Sequence, residues 1–184
     1  MARSTGYSLI ELLTTLAIGA LLCGMALPKY RDLVTQNQTS ATLNELFGAL
    51  QLARQTATFD RVTTTVCPFD GAACGTDWRA GYAIFLDRNS NGMIDANDRV
   101  LAQGSATPPG VKLTWRSFRR RPFLQFTARG LTRAENGSFV YCVADHQPGS
   151  VVKIVLNTAG RARTVEDRDR DGRFDDRSGA AVCP

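Results

Sequence analysis

Five cysteines are the most reactive side chains in the sequence. Cys23 lies inside a long apolar run, whereas Cys67, Cys74, Cys142 and Cys183 follow it. Four thiols in an oxidising compartment can close two disulfides, with three ways of pairing them. The nearest-neighbour choice joins Cys67 to Cys74 around a small loop, and Cys142 to Cys183, which ties the tail onto a strand. Zinc is the rival use of such thiols, but six residues separate Cys67 from Cys74 where zinc sites favour about two to four. The one histidine, His146, sits in the turn-like stretch Asp145-His146-Gln147-Pro148-Gly149 and reads as a loop residue. A single histidine excludes a multi-histidine metal site. No nucleophile, base and orienting residue converge, so no enzyme is expected.

Two stretches have the oxygen spacing of a calcium loop. Asp87-x-Asn89-x-Asn91-Gly92-x-Ile94-Asp95-x-x-Asp98 fills it to the last position with aspartate. Asp167-x-Asp169-x-Asp171-Gly172-x-Phe174-Asp175 fills the first part and has Ser178 where a bidentate glutamate would stand. Calcium takes about six to eight oxygens, and a glycine at the sixth position permits the sharp turn. Neither stretch is flanked by two helices, and hairpin turns use the same Asp, Asn and Gly residues. The turn is therefore the default, with no cofactor, and calcium is the alternative use.

The chain carries 22 basic and 17 acidic side chains. The excess falls in residues 111–184, where arginine is far commoner than lysine, and arginine suits planar, bidentate phosphate contacts. In Gly160-Arg161-Ala162-Arg163 the two arginines are two apart, so they share one side of an extended chain, and the glycine lets the backbone turn. Phe118-Arg119-Arg120-Arg121 sets a second basic run beside aromatics. Arg168, Arg170, Arg173 and Arg177 follow, but the acidic residues between 166 and 176 nearly cancel the arginines of this tail, Arg161 and Arg163 included, which weakens a purely electrostatic argument for DNA.

These groups need elements to hold them. At 43% hydrophobic and 21% charged, the chain suits one globular domain plus an appendage. Residues 7–27 contain Glu11 as their only charge, and a helix of that length crosses a hydrocarbon core of roughly 30 Å. Arg3 in the short stub before it places the N-terminus inside, and no small-x-small cleavage site follows, so the segment reads as a retained anchor. A carboxylate in such a helix costs up to about 3 kcal/mol and calls for a partner, unless it snorkels to the headgroups. Beyond Pro28, Leu43, Leu46, Leu50, Ala53 and Ala57 recur at spacings of three and four, predicting one apolar stripe on a helix that runs to about Phe59. Gln36-Asn37-Gln38-Thr39-Ser40 is its polar part, either exposed or locally melted. From Arg61 the texture changes to β-like runs: Val62–Val66, Tyr82–Leu86, Val111–Trp115, Phe123–Thr127, Phe139–Val143 and Val151–Leu156.

The stretch Gly6-Tyr7-Ser8-Leu9-Ile10-Glu11-Leu12 resembles the signal sequence of type IV pilins and type II secretion pseudopilins. The resemblance implies that prepilin peptidase cuts between Gly6 and Tyr7 and methylates the Tyr7 amine. It also implies that Glu11 pairs with the terminal ammonium of a neighbouring subunit, and that Pro28 falls where such helices kink. Ala53-Arg54, Cys67-Pro68, Trp78, Gly81 through Asp87, and Gly160 through Arg163 extend the likeness to the FimT/GspH group of minor pilins and pseudopilins.

The implied fold is α+β: a long N-terminal transmembrane helix followed by a mainly antiparallel β head with disulfides. Residues 1–6 are the leader, 7–28 the membrane helix, 29–60 the stem and 61–184 the head with its Arg/Asp-rich tail. The implied function is that of a structural subunit of a type IV pilus or secretion filament, anchored in the inner membrane with its head periplasmic and other pilins as partners. In the FimT branch the motif matching Gly160-Arg161-Ala162-Arg163 binds DNA during natural transformation. The alternative expectation is therefore duplex DNA held by Arg161 and Arg163.

Overall fold

The structure is a computed structural model that describes residues 8–133, 135–143, 151–165 and 174. The chain divides into two units, Met1–Thr42 and Leu43–Pro184, and helix α1 (Leu9–Asp60) contributes to both. In the first unit the helix continues through Pro28 and through residues 36–40, so the polar stretch is helical, with Asn37, Gln38 and Ser40 exposed.

In the second unit, Leu43, Leu46, Leu50, Ala53 and Ala57 are all buried, as the spacing of three and four requires. Ala53 and Ala57 have no exposed surface, and two such small side chains one turn apart let strands approach the helix closely. Burying a side chain such as Leu50 stabilises the unit by about 1.5–3 kcal/mol. The helix stops at Asp60 because Arg61 turns into the left-handed region, at φ 56°.

Among the described residues, eight strands and one 3-10 turn complete the unit. The first sheet comprises β1 (Thr64–Pro68), β2 (Tyr82–Leu86), β3 (Arg99–Gly104) and β5 (Leu124–Phe126), in the order β3-β2-β1-β5. The second comprises β4 (Val111–Ser117), β6 (Gly137–Val143), β7 (Val151–Leu156) and β8 (Ala162–Val165), in the order β4-β6-β7-β8. Every pairing is antiparallel. The 3-10 turn, Trp78–Ala80, begins where the Asp77 carboxylate accepts from the Arg79 amide at 3.0 Å.

The period of two in the second sheet sorts its side chains onto two faces. Leu113, Phe139, Tyr141, Ile154 and Leu156 join the helix stripe in the main core. Val140, Cys142, Val151 and Val165 form a smaller cluster with Phe174, whose ring lies 5.0 Å from the Lys153 ammonium. Trp78, Trp115 and Phe139 interlock, with ring centroids 4.7 Å apart for Trp78–Phe139 and 4.4 Å for Trp115–Phe139.

The strands β3 and β8 were not predicted from sequence. Both pair on one side only among the described residues, and edge strands carry exposed polar and charged side chains that blur the alternation. Cys67 and Cys74 form a disulfide, helped by an isolated bridge between Phe69 and Cys74. Cys142 is disulfide-bonded as well, and Cys183 lies outside the described residues. Cys23 is a free, exposed thiol.

Candidate functional site

Gly6 and Tyr7 lie outside the described residues, which begin at Ser8. The Ser8 carbonyl accepts from the amides of Glu11 at 3.0 Å and Leu12 at 3.2 Å, opening the helix. Glu11 is exposed in its first turn, where the helix dipole favours a carboxylate. From Leu9 to Leu27 the helix is apolar and long enough to cross a membrane. Its large aliphatic side chains are 54–76% exposed, an arrangement that demands lipid or other apolar helices around it.

The first of the two calcium-like stretches is a turn built around a buried carboxylate. Asp87 has no exposed surface. Its Oδ1 accepts from the Asn91 amide at 3.1 Å. Its Oδ2 accepts from the Gly92 amide at 2.9 Å, the Thr65 hydroxyl at 2.7 Å and the Gln125 side-chain amide at 2.8 Å. Asp95 accepts from Asn89 and Asn91, and Asp98 from the amides of Arg88 and Asp95. These oxygens serve donors of the protein itself, and among the described residues no three His, Cys, Asp or Glu side chains are grouped to hold a metal. Gly92, at φ 79°, is required because a Cβ there would stand 2.3 Å from the Phe123 ring. The second stretch, Asp167 to Ser178, lies outside the described residues apart from Phe174, and so does His146.

Gln125 links Asp87 to a second buried acid, which sequence reasoning missed. Glu135 has no exposed side-chain surface and accepts from the Gln125 backbone amide at 2.8 Å and from Arg121 at 3.0 Å. Burial pushes its carboxyl above the ordinary glutamate range, against the pull of the Gln125 amide and the Arg121 guanidinium. A signal was present: no carboxylate side chain occurs between Asp98 and Glu135, so a lone acid among so many bases invites a partner.

The arginine motif forms the turn between β7 and β8. Gly160 sits at φ 71°, and its amide donates to the Asn157 carbonyl at 2.9 Å. The Asn157 side chain accepts from the Arg161 amide at 2.9 Å. A Cβ on Gly160 would lie 2.3 Å from the Gly130 carbonyl and 3.1 Å from Arg54 Nε, which itself donates to that carbonyl at 3.0 Å. The glycine is thus needed for close packing against a neighbouring turn. Arg161 and Arg163 are exposed on either side of the half-buried Ala162, as expected for an extended chain.

Residues 1–27 match the prokaryotic N-terminal methylation motif, and residues 42–160 match the model of the type II transport protein GspH. The chain belongs to the GspH family. No curated protein matches it in sequence. Among solved structures, the type IV minor pilin FimU of Pseudomonas aeruginosa is similar at 20% identity and a TM-score of 0.54, over 70% of this chain and 88% of that one. The minor pseudopilin EpsH of the type 2 secretion system of Vibrio cholerae is similar at 12% identity and a TM-score of 0.52, over 69% and 95%. At these identities the likeness establishes a type IV pilin-like fold. The GspH match begins on the helix one residue before its first buried leucine and ends at Gly160, so it spans both sheets except β8.

Proposed function

We propose that this GspH-family chain is a minor pilin or pseudopilin, a structural subunit of a type IV pilus or of a type II secretion filament. The observation that carries the reading is one helix that is bare, apolar and membrane-length at Leu9–Leu27 and core-forming at Leu43–Ala57. Such a helix can serve first in a bilayer and then among similar helices of other subunits, with Glu11 neutralised by a neighbour's terminal ammonium. Prepilin peptidase acts between Gly6 and Tyr7 in this reading, with the N-terminus cytoplasmic and the head periplasmic. Mass spectrometry of the membrane form should find a chain that starts at N-methylated Tyr7. A terminus still at Met1 would overturn the assignment.

A second reading is DNA capture in natural transformation, favoured by the exposure of both Arg161 and Arg163 beside a rigidly packed glycine turn. Their guanidinium groups suit duplex phosphates. A mobility shift with duplex DNA should show binding that weakens as salt rises and is lost in the Arg161→Ala/Arg163→Ala double variant. No shift at low salt would leave the structural role alone.

A further inference from the structure

The pairing register brings three arginine-bearing turns to one end of the head. Ser117 pairs with Gly137, Gly137 with Leu156, and Leu156 with Ala162, so these four residues form a row across the second sheet. The turn after β4 and the turn before β8 therefore leave the sheet at the same end, three strand spacings or roughly 14 Å apart. The first of these turns presents Arg119 and Arg120, and the second presents Arg161, with Arg163 following on β8. A third turn, residues 127–133, carries Arg129 and Arg133 and is fastened to the second: the Thr132 amide and hydroxyl both donate to the Thr158 carbonyl, at 3.0 and 3.4 Å. All six arginines are exposed.

In the first and third turns the arginine charge is not cancelled by acids nearby in sequence, while Arg161 and Arg163 precede the acidic residues between 166 and 176. No carboxylate side chain lies between Asp98 and Glu135, and Glu135 is buried against Arg121. The turns are also stiff. In the first, the Ser117 hydroxyl accepts from the Arg121 amide at 2.9 Å, the Phe118 amide donates to the Asn136 carbonyl at 3.0 Å, and the Arg120 amide donates to the Ser117 carbonyl at 3.1 Å. A fixed turn nevertheless leaves the Phe118 ring 79% exposed between the bases.

We propose that this whole end of the head is a binding face for duplex DNA, on which Arg119, Arg120, Arg129 and Arg133 add to Arg161 and Arg163, and Phe118 makes the apolar contact. The proposal rests on the DNA-capture reading and enlarges its site from one turn to three. A separation of roughly 14 Å is comparable with the major groove's width of about 12 Å, so the outer turns can meet phosphates on opposite strands. Phe118 supplies the kind of apolar wedge that duplex binders set against bases and sugars.

The test is a salt titration of duplex binding by the full chain in neutral detergent, comparing wild type with Arg119→Ala/Arg120→Ala, Arg129→Ala/Arg133→Ala and Arg161→Ala/Arg163→Ala. Each phosphate contact contributes about 0.9 to the log–log salt slope, so each double variant should flatten that slope by close to two and weaken binding at least tenfold at low salt. If wild type binds and only the Arg161/Arg163 variant is impaired, the three-turn face is wrong and the smaller site stands. If wild type does not bind duplex DNA, both fail. Binding to phosphatidylglycerol vesicles without binding to DNA also overturns the proposal, by reassigning the face to a lipid surface. The altered side chains are exposed, and matching melting temperatures will show that the variants fold.

Discussion

At the scale of single residues, two carboxylates do unlike work in the same unit. Four donors converge on buried Asp87, while Glu135 has two and burial pushes its carboxyl above the ordinary glutamate range. A carboxyl whose pKa is higher in the folded head than in the unfolded chain favours folding most below the unfolded value. That advantage is lost as pH rises through the folded value. The melting temperature of wild type relative to a Glu135→Gln variant should therefore rise as pH falls from neutral into the glutamate range. Asp70 and Asp77 are held low by local hydrogen bonds and act in the opposite sense, but they are common to both proteins and cancel in the comparison. A difference that does not change with pH would show that the Glu135 carboxyl titrates alike in the folded and unfolded chain.

At the scale of elements, the small loop that closes on itself between Cys67 and Cys74 should be a separable contribution. Seven residues of sequence separation correspond to about 2–3 kcal/mol by loop entropy, so replacing both cysteines with serine should lower the melting temperature by several degrees, as calorimetry can check. A shift within error would mean that the β1 end is fixed by its ladder instead. The pattern of legibility follows from the same elements. The helix stripe and the central strands could be read because their burial imposes a strict period on apolar side chains. The edge strands escaped notice because solvent relaxes that period, with Arg163 and Thr164 both outward on β8. The Asp-Asn-Gly run at Asp87 has the same spacing in a turn as in a calcium loop, so the sequence favours the turn and leaves calcium as the alternative. Only the fold reveals that Thr65 and Gln125, far away in sequence, complete the shell of Asp87. The same holds for Gly160, whose reason for being glycine is the carbonyl of Gly130.

At the scale of the whole molecule, the two units make opposite demands on their surroundings: one has an interior, and the other exposes its leucines. A charge placed in the middle of the second kind of surface should be felt immediately. Leu16→Arg is expected to cost about 2.5–3.5 kcal/mol of insertion, and alkaline extraction should then release the variant from membranes that retain wild type. Retention of the variant would show that the span is not set in hydrocarbon. The exposed span also decides in how many dimensions the protein meets its partners. A helix whose aliphatic side chains are more than half bare does not equilibrate with water, so the subunit passes directly from lipid to neighbouring helices without a free aqueous stage. Its encounters are then governed by its number per area of bilayer, not by its concentration per volume. Diluting the suspension leaves them unchanged, whereas fusing in extra lipid slows them.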